Sequence, residues 1–109
     1  MNSNTITYAD LHGGGEFYSL EVQDDSMDAV NIHKNDTIIF RKQPIVNNEE
    51  IAVILTNENV LIRKFKQENN KIYLFPLSNN ANYQVQTFVA DNPRIKVIGK
   101  VIECKRDIC

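Results

Sequence analysis

Asparagine punctuates this chain. Fourteen of them occur, many paired or nearly so, as at Asn47-Asn48, Asn57/Asn59, Asn69-Asn70 and Asn79-Asn80-Ala81-Asn82. Asn side chains bond their own backbone and tolerate left-handed conformations, so such pairs mark turns. Between the turns Ile plus Val number 22 and Ala plus Leu only 11. Side chains branched at Cβ lose rotamer freedom in a helix and pack well on a pleated surface, so these segments read as strands. Tyr18, Leu20 and Val22 alternate with Ser19, Glu21 and Gln23, the period of a half-buried strand. Six more strands are predicted over 37–42, 51–56, 60–66, 71–75, 85–89 and 95–104, the middle three linked as hairpins by a few polar residues. One helical turn is expected over 27–31, and no stretch carries an amphipathic helical stripe of three turns. The pattern predicts a mainly β fold of strongly bent antiparallel sheets with little helix.

The length of 109 residues suits one domain with a modest core. Residues 1–15 have no periodicity and end in Gly13-Gly14-Gly15, the composition of a flexible arm or linker, which leaves 16–109 as the folded domain. The net charge of −2 gives no bulk positive field for holding phosphates, so DNA binding by this segment alone is not expected. Its longest apolar run, 51–55, is far too short to cross a bilayer, and the polar start lacks the features of a signal peptide. A cytoplasmic location without membrane contact is the expectation. Cys104 and Cys109 have no Cys or His at zinc-ligand spacing, so they read as free thiols at a frayed end, with no metal or cofactor implied.

Few residues can carry chemistry. His12 in the arm and His33 in a polar turn read as exposed histidines. A triad of Ser26, His33 and Asp36 fits too little of the chain to converge. Ser26, taken alone, reads as the N-cap of the turn that follows. Arg63 and Lys64 read alone as a solvated basic strand end.

The order of motifs says more. Tyr18 to Gln23 followed by Asp24-Asp25-Ser26-Met27, then Asn35-Asp36-Thr37-Ile38-Ile39-Phe40, then Val60-Leu61-Ile62-Arg63-Lys64-Phe65, resembles the LexA-like family of self-cleaving serine peptidase domains. Ile72-Tyr73-Leu74-Phe75-Pro76-Leu77 with Tyr83, and Val97-Ile98-Gly99-Lys100-Val101-Ile102, are similar to that family's later strands, so the resemblance covers nearly all of 18–105. It implies that Ser26 is the nucleophile and that a lysine on the 60–66 strand is its base, made neutral by burial. Aligned without a gap, that position holds Arg63. An arginine stays protonated and has no lone pair to offer. Alternation places Arg63 with Leu61 and Phe65, and Lys64 with Lys66, so Lys64 reaches Ser26 only through a β-bulge. Asp24 and Asn35 stand where the family has glycines, and neither Ala-Gly nor Cys-Gly, the usual cleavable bonds, precedes Ser26.

Three readings follow from the resemblance. The first is the C-terminal regulatory and dimerisation domain of a LexA-like or phage-type transcriptional repressor, with self-cleavage impaired at Arg63 and a helix-turn-helix domain upstream to bind DNA. Its implied partners are a second copy, paired through the closing segment 95–104 as an exposed edge, and a RecA-type or antirepressor protein. The second is an active Ser26/Lys64 self-cleaving peptidase of an SOS response. The third is a UmuD-like polymerase accessory.

Overall fold

Eight strands form one antiparallel sheet in the order β1-β2-β3-β8-β4-β5-β6-β7. The strands are β1 (Ile6–Ala9), β2 (Phe17–Glu21), β3 (Thr37–Lys42), β4 (Ile51–Leu55), β5 (Val60–Glu68), β6 (Lys71–Phe75), β7 (Gln86–Val89) and β8 (Lys96–Lys105). The computed structural model describes residues 6–9, 15–57 and 59–106. Helix is confined, among these residues, to a single 3-10 turn at Asp28–Val30. No helix among them is long and apolar enough to cross a membrane.

Every strand anticipated from alternation is present, and the asparagines sit at the bends. Asn31, Asn35 and Asn69 have φ of 68°, 77° and 58°, and Glu49 at 76° is the remaining non-glycine residue in the left-handed region among those described. Strand β5 runs past its expected end, so Asn69-Asn70 alone forms the turn into β6. Inside the segment read as a flexible arm, Ile6–Ala9 pairs with β2, and the Tyr8 ring stands edge-on to Tyr18 at 5.6 Å. Residues 1–5 and 10–14 of that arm, His12 among them, lie outside the described residues, as does Cys109.

Strand β8 departs from its expected place. It was anticipated as an edge, yet residues 96–100 pair with β4 on one side, and the strand pairs with β3 on the other. Among the described residues, Gly99 and Lys100 pair with both neighbours, Lys96 and Val97 with β4 alone, and the stretch 101–105 with β3 alone. Register shifts fall between Val53 and Ile54 on the β4 side and between Ile39 and Phe40 on the β3 side, leaving Ile98 and Ile102 as the extra residues that bend the sheet. Cys104 is therefore held in a strand opposite Ile38, not in a frayed end.

Both faces of the sheet are covered. Leu20, Val22, Met27, Ile32, Ile38, Phe40, Val53 and Ile62 form one core cluster, and Val46, Ala52, Ile54, Phe65, Ile72 and Leu74 form another. The uninterrupted apolar run of β4 is explained by this arrangement, since Val53 faces one cluster while Ala52 and Ile54 face the other. Gly99 permits the closest approach. A Cβ there would lie 2.3 Å from Phe40 Cδ2 and 2.5 Å from the Arg41 carbonyl oxygen.

Candidate active site

Ser26 sits on the bend that follows β2, between Asp24-Asp25 and Met27. The bend is held from two sides. Leu77 N–H donates to the Ser26 carbonyl at 2.8 Å just after β6 leaves β5, and Ala29 N–H donates back to the Leu77 carbonyl at 2.8 Å. Met27 is 1% exposed and bridges to Ile32, which anchors the bend in the first core cluster. The N-cap position of the 3-10 turn is Met27, so Ser26 does not cap it.

The Ser26 hydroxyl is buried, at 2% exposure, and both of its hydrogen-bonding roles are taken. Oγ donates to Asp24 Oδ1 at 2.6 Å and accepts from Arg63 Nη1 at 2.7 Å. The backbone N–H of Ser26 also donates to Asp24 Oδ1, at 3.0 Å. Asp24 has no left-handed backbone, so an L-residue meets no strain where the family resemblance implies glycine. Its side chain instead makes the local bond to the backbone two residues on that Asp readily forms.

Arg63 reaches the serine from β5. It is 7% exposed, and Nη1 also donates to the Ile62 carbonyl at 2.9 Å, while buried Nε has no protein partner. Burial pushes the guanidinium below its ordinary pKa, and the nearby Asp24 charge and Tyr83 oppose that shift. The Tyr83 hydroxyl also accepts from Asp25 N–H at 3.3 Å. The crevice along Leu20, Val22, Ser26, Ile62 and Arg63 has a volume of ≈ 20 Å³, which is space for about one water.

Lys64 points elsewhere. The register of β5 with β4 and with β6 contains no shift, so the bulge that would turn Lys64 toward Ser26 is not formed. Its ammonium lies 3.0 Å from Glu49 Oε1 and 5.2 Å from the centroid of the Phe75 ring. His33 does not join Ser26 either: its Nε2 lies 3.0 Å from Asn31 Oδ1, and its N–H donates to Asp36 Oδ2 at 2.8 Å. Asp36, 2% exposed, accepts from Arg106 Nε at 2.9 Å and Nη2 at 3.1 Å. Arg106 holds the Asp36 carboxyl down at about 2, helped by the His33 N–H and the Cys104 thiol. Burial and Asp36 together push the Cys104 thiol up to about 11, so it is protonated and unreactive at neutral pH.

A buried serine flanked by one acid and one cation, on a bend between strands of an all-antiparallel sheet, suits a peptidase-type fold, and the family model described as Peptidase S24-like matches residues 2–102. The chain belongs to that family. Similar S24-like relatives include the LexA repressor of Desulforamulus reducens, 33% identical over 96 residues, which cover 88% of this chain and 42% of that protein. The LexA repressor of Oleidesulfovibrio alaskensis is 28% identical over 107 residues, covering 97% of this chain and 50% of its own length. For the LexA repressor of Streptomyces clavuligerus the figures are 33% over 98 residues, 90% and 38%. The chain thus spans half or less of these curated relatives. Sheet and likeness together make it a LexA-like C-terminal peptidase domain. The S24-like resemblance was legible in the sequence. The bond of Asp24 to the serine was not, although an Asp two residues before a Ser is a known local hydrogen-bonding signal.

Proposed function

We propose that this domain is the regulatory and dimerisation part of a LexA-like transcriptional repressor in which self-cleavage is impaired. The observation that carries this is the buried Arg63 guanidinium 2.7 Å from Ser26 Oγ. A serine attacks a peptide carbonyl only if a neighbouring group accepts its proton. Even with its pKa lowered by burial, an arginine keeps its proton across the working pH range. Carboxylates as a class are feeble bases toward an alcohol, so Asp24 is no substitute for a neutral amine. Lys64, the basic residue next to Arg63 on the strand, is engaged with Glu49.

The regulatory role then lies in assembly. DNA would be read by a helix-turn-helix domain outside this chain, and a dimer would raise the effective concentration of two such domains on a paired site. The half of β8 that pairs only with β3, residues 101–105, offers backbone groups and the exposed Ile102 for pairing with a second copy. A RecA-type or antirepressor protein is the class of partner that would release the repressor. The LexA repressors at about 30% identity support this setting.

Incubating the intact protein from neutral pH up to about pH 10, near the lysine pKa of about 10.4, tests the reading. No Ser26-dependent self-cleavage is expected at any point. Cleavage of the unmodified protein at high pH that is lost in Ser26→Ala and Lys64→Ala, but kept in Arg63→Ala, would overturn it.

A further inference from the structure

The Asp24 carboxylate does more than hold the serine still. We infer that Asp24 is a second block on the site, independent of Arg63, because it occupies the backbone donor that a reacting oxyanion would need. This rests on the proposed reading of Ser26 and Arg63 and extends it.

Acyl transfer at a serine builds negative charge on the carbonyl oxygen, and the backbone N–H of the nucleophile is a recurrent donor to it. In this chain Ser26 N–H is already paired, at 3.0 Å, with Asp24 Oδ1. The same oxygen accepts the hydroxyl's hydrogen bond at 2.6 Å, so one carboxylate covers both groups the reaction would use. A developing oxyanion would have to displace a like charge from a partly buried bend, in a crevice with room for about one water. The third member of the cluster explains why the carboxylate stays. Arg63 meets it on the same Ser26 oxygen and supplies the compensating positive charge. Acid, hydroxyl and guanidinium therefore close into a neutral set. A lysine restored at 63 would still face a serine whose proton and N–H belong to Asp24.

Two blocks in series predict that neither substitution alone releases the serine and that both together do. Labelling by an alkyl fluorophosphonate, followed by intact-mass measurement, reads this without any cleavable arm. The Ser26 Oγ–P bond forms, the P–F bond breaks, fluoride leaves with the bonding pair, and the hydroxyl proton passes to the introduced amine. Arg63→Lys and Asp24→Ala should each label as slowly as the unmodified protein. The double variant Asp24→Ala/Arg63→Lys should label about 100-fold faster, the size of effect of one oxyanion donor, with a rate that climbs with pH as the amine deprotonates. Asp24→Asn/Arg63→Lys keeps an acceptor on the bend and removes the charge, so it should fall between. That variant also covers the case in which the Ala form fails to fold, and adding Ser26→Ala to either double variant should abolish the label.

The inference fails if Arg63→Lys alone labels as fast as the doubles, or if folded double variants label no faster than Arg63→Lys. Rapid labelling of the unmodified protein is a different result. It would overturn the impaired-site reading on which the inference rests.

Discussion

Replacing Arg106 by alanine should destabilise the domain by about 2 kcal/mol at neutral pH. Asp36 is almost fully buried, and its carboxylate accepts two bonds from Arg106, one from the His33 N–H and one from the Cys104 thiol. The variant removes two of the four, along with the Arg106 bonds to the Asn31 carbonyl and side chain. Hydrogen bonds to charged groups contribute about 1.5–3 kcal/mol each. The Arg106 side chain is 47% exposed, so solvent screening puts the total near the lower end of that range. In a domain of this size a loss of about 2 kcal/mol should lower the Tm by roughly 10 °C. The pH dependence has a definite sign. Arg106 first, then the His33 N–H and the Cys104 thiol, hold Asp36 at about 2 in the folded state, below the unfolded carboxylate value of about 3.9. A depressed carboxyl contributes fully above its unfolded pKa and loses that contribution as pH falls through the folded one. The gap between unmodified protein and Arg106→Ala should therefore be complete above pH ~4 and close toward pH ~2. Thermal melts followed by circular dichroism across that range measure it, with the exposed Lys105→Ala as control. A gap no larger than that of Lys105→Ala, or one unchanged at pH ~2, would refute the argument.

Gly99→Ala should cost about 3 kcal/mol or more, because its Cβ would meet a ring carbon at 2.3 Å and a backbone oxygen inside a strand ladder at 2.5 Å; a melt within ~2 °C of the unmodified protein would contradict this packing. Lys64→Ala should cost no more than about 1 kcal/mol, since its partner Glu49 is 59% exposed, and a larger loss in denaturant titration would show that Lys64 has a role beyond the surface pair.

Local periodicity made the strands legible, and paired asparagines made the turns so, because both are properties of a few adjacent residues. Alternation likewise put Arg63 on the face shared with Leu61 and Phe65, and it is buried at 7% exposure. What local pattern cannot carry is strand order. The closing segment looks like an edge because it comes last in the chain, yet it lies between β3 and β4 and pairs with both at Gly99 and Lys100. The pairing of Asp36 with Arg106 joins residues 70 positions apart, and nothing near either one signals it. Asp24 was visible as a departure from the family's glycine. Its consequence emerges only when the side chain is seen on both the hydroxyl and the N–H of Ser26.

Strand β4 gives this small protein a particular kind of cooperativity. With Val53 in one cluster and its neighbours Ala52 and Ile54 in the other, the two cores are joined through consecutive covalent bonds, and all three residues are 0% exposed. Neither half can open while the other keeps its packing, because lifting β4 from one cluster strips it from both. Amides on β4 should then exchange with solvent only through global unfolding, and the two cores should melt as a single foldon. A domain built this way should have no partly unfolded form in which one core survives.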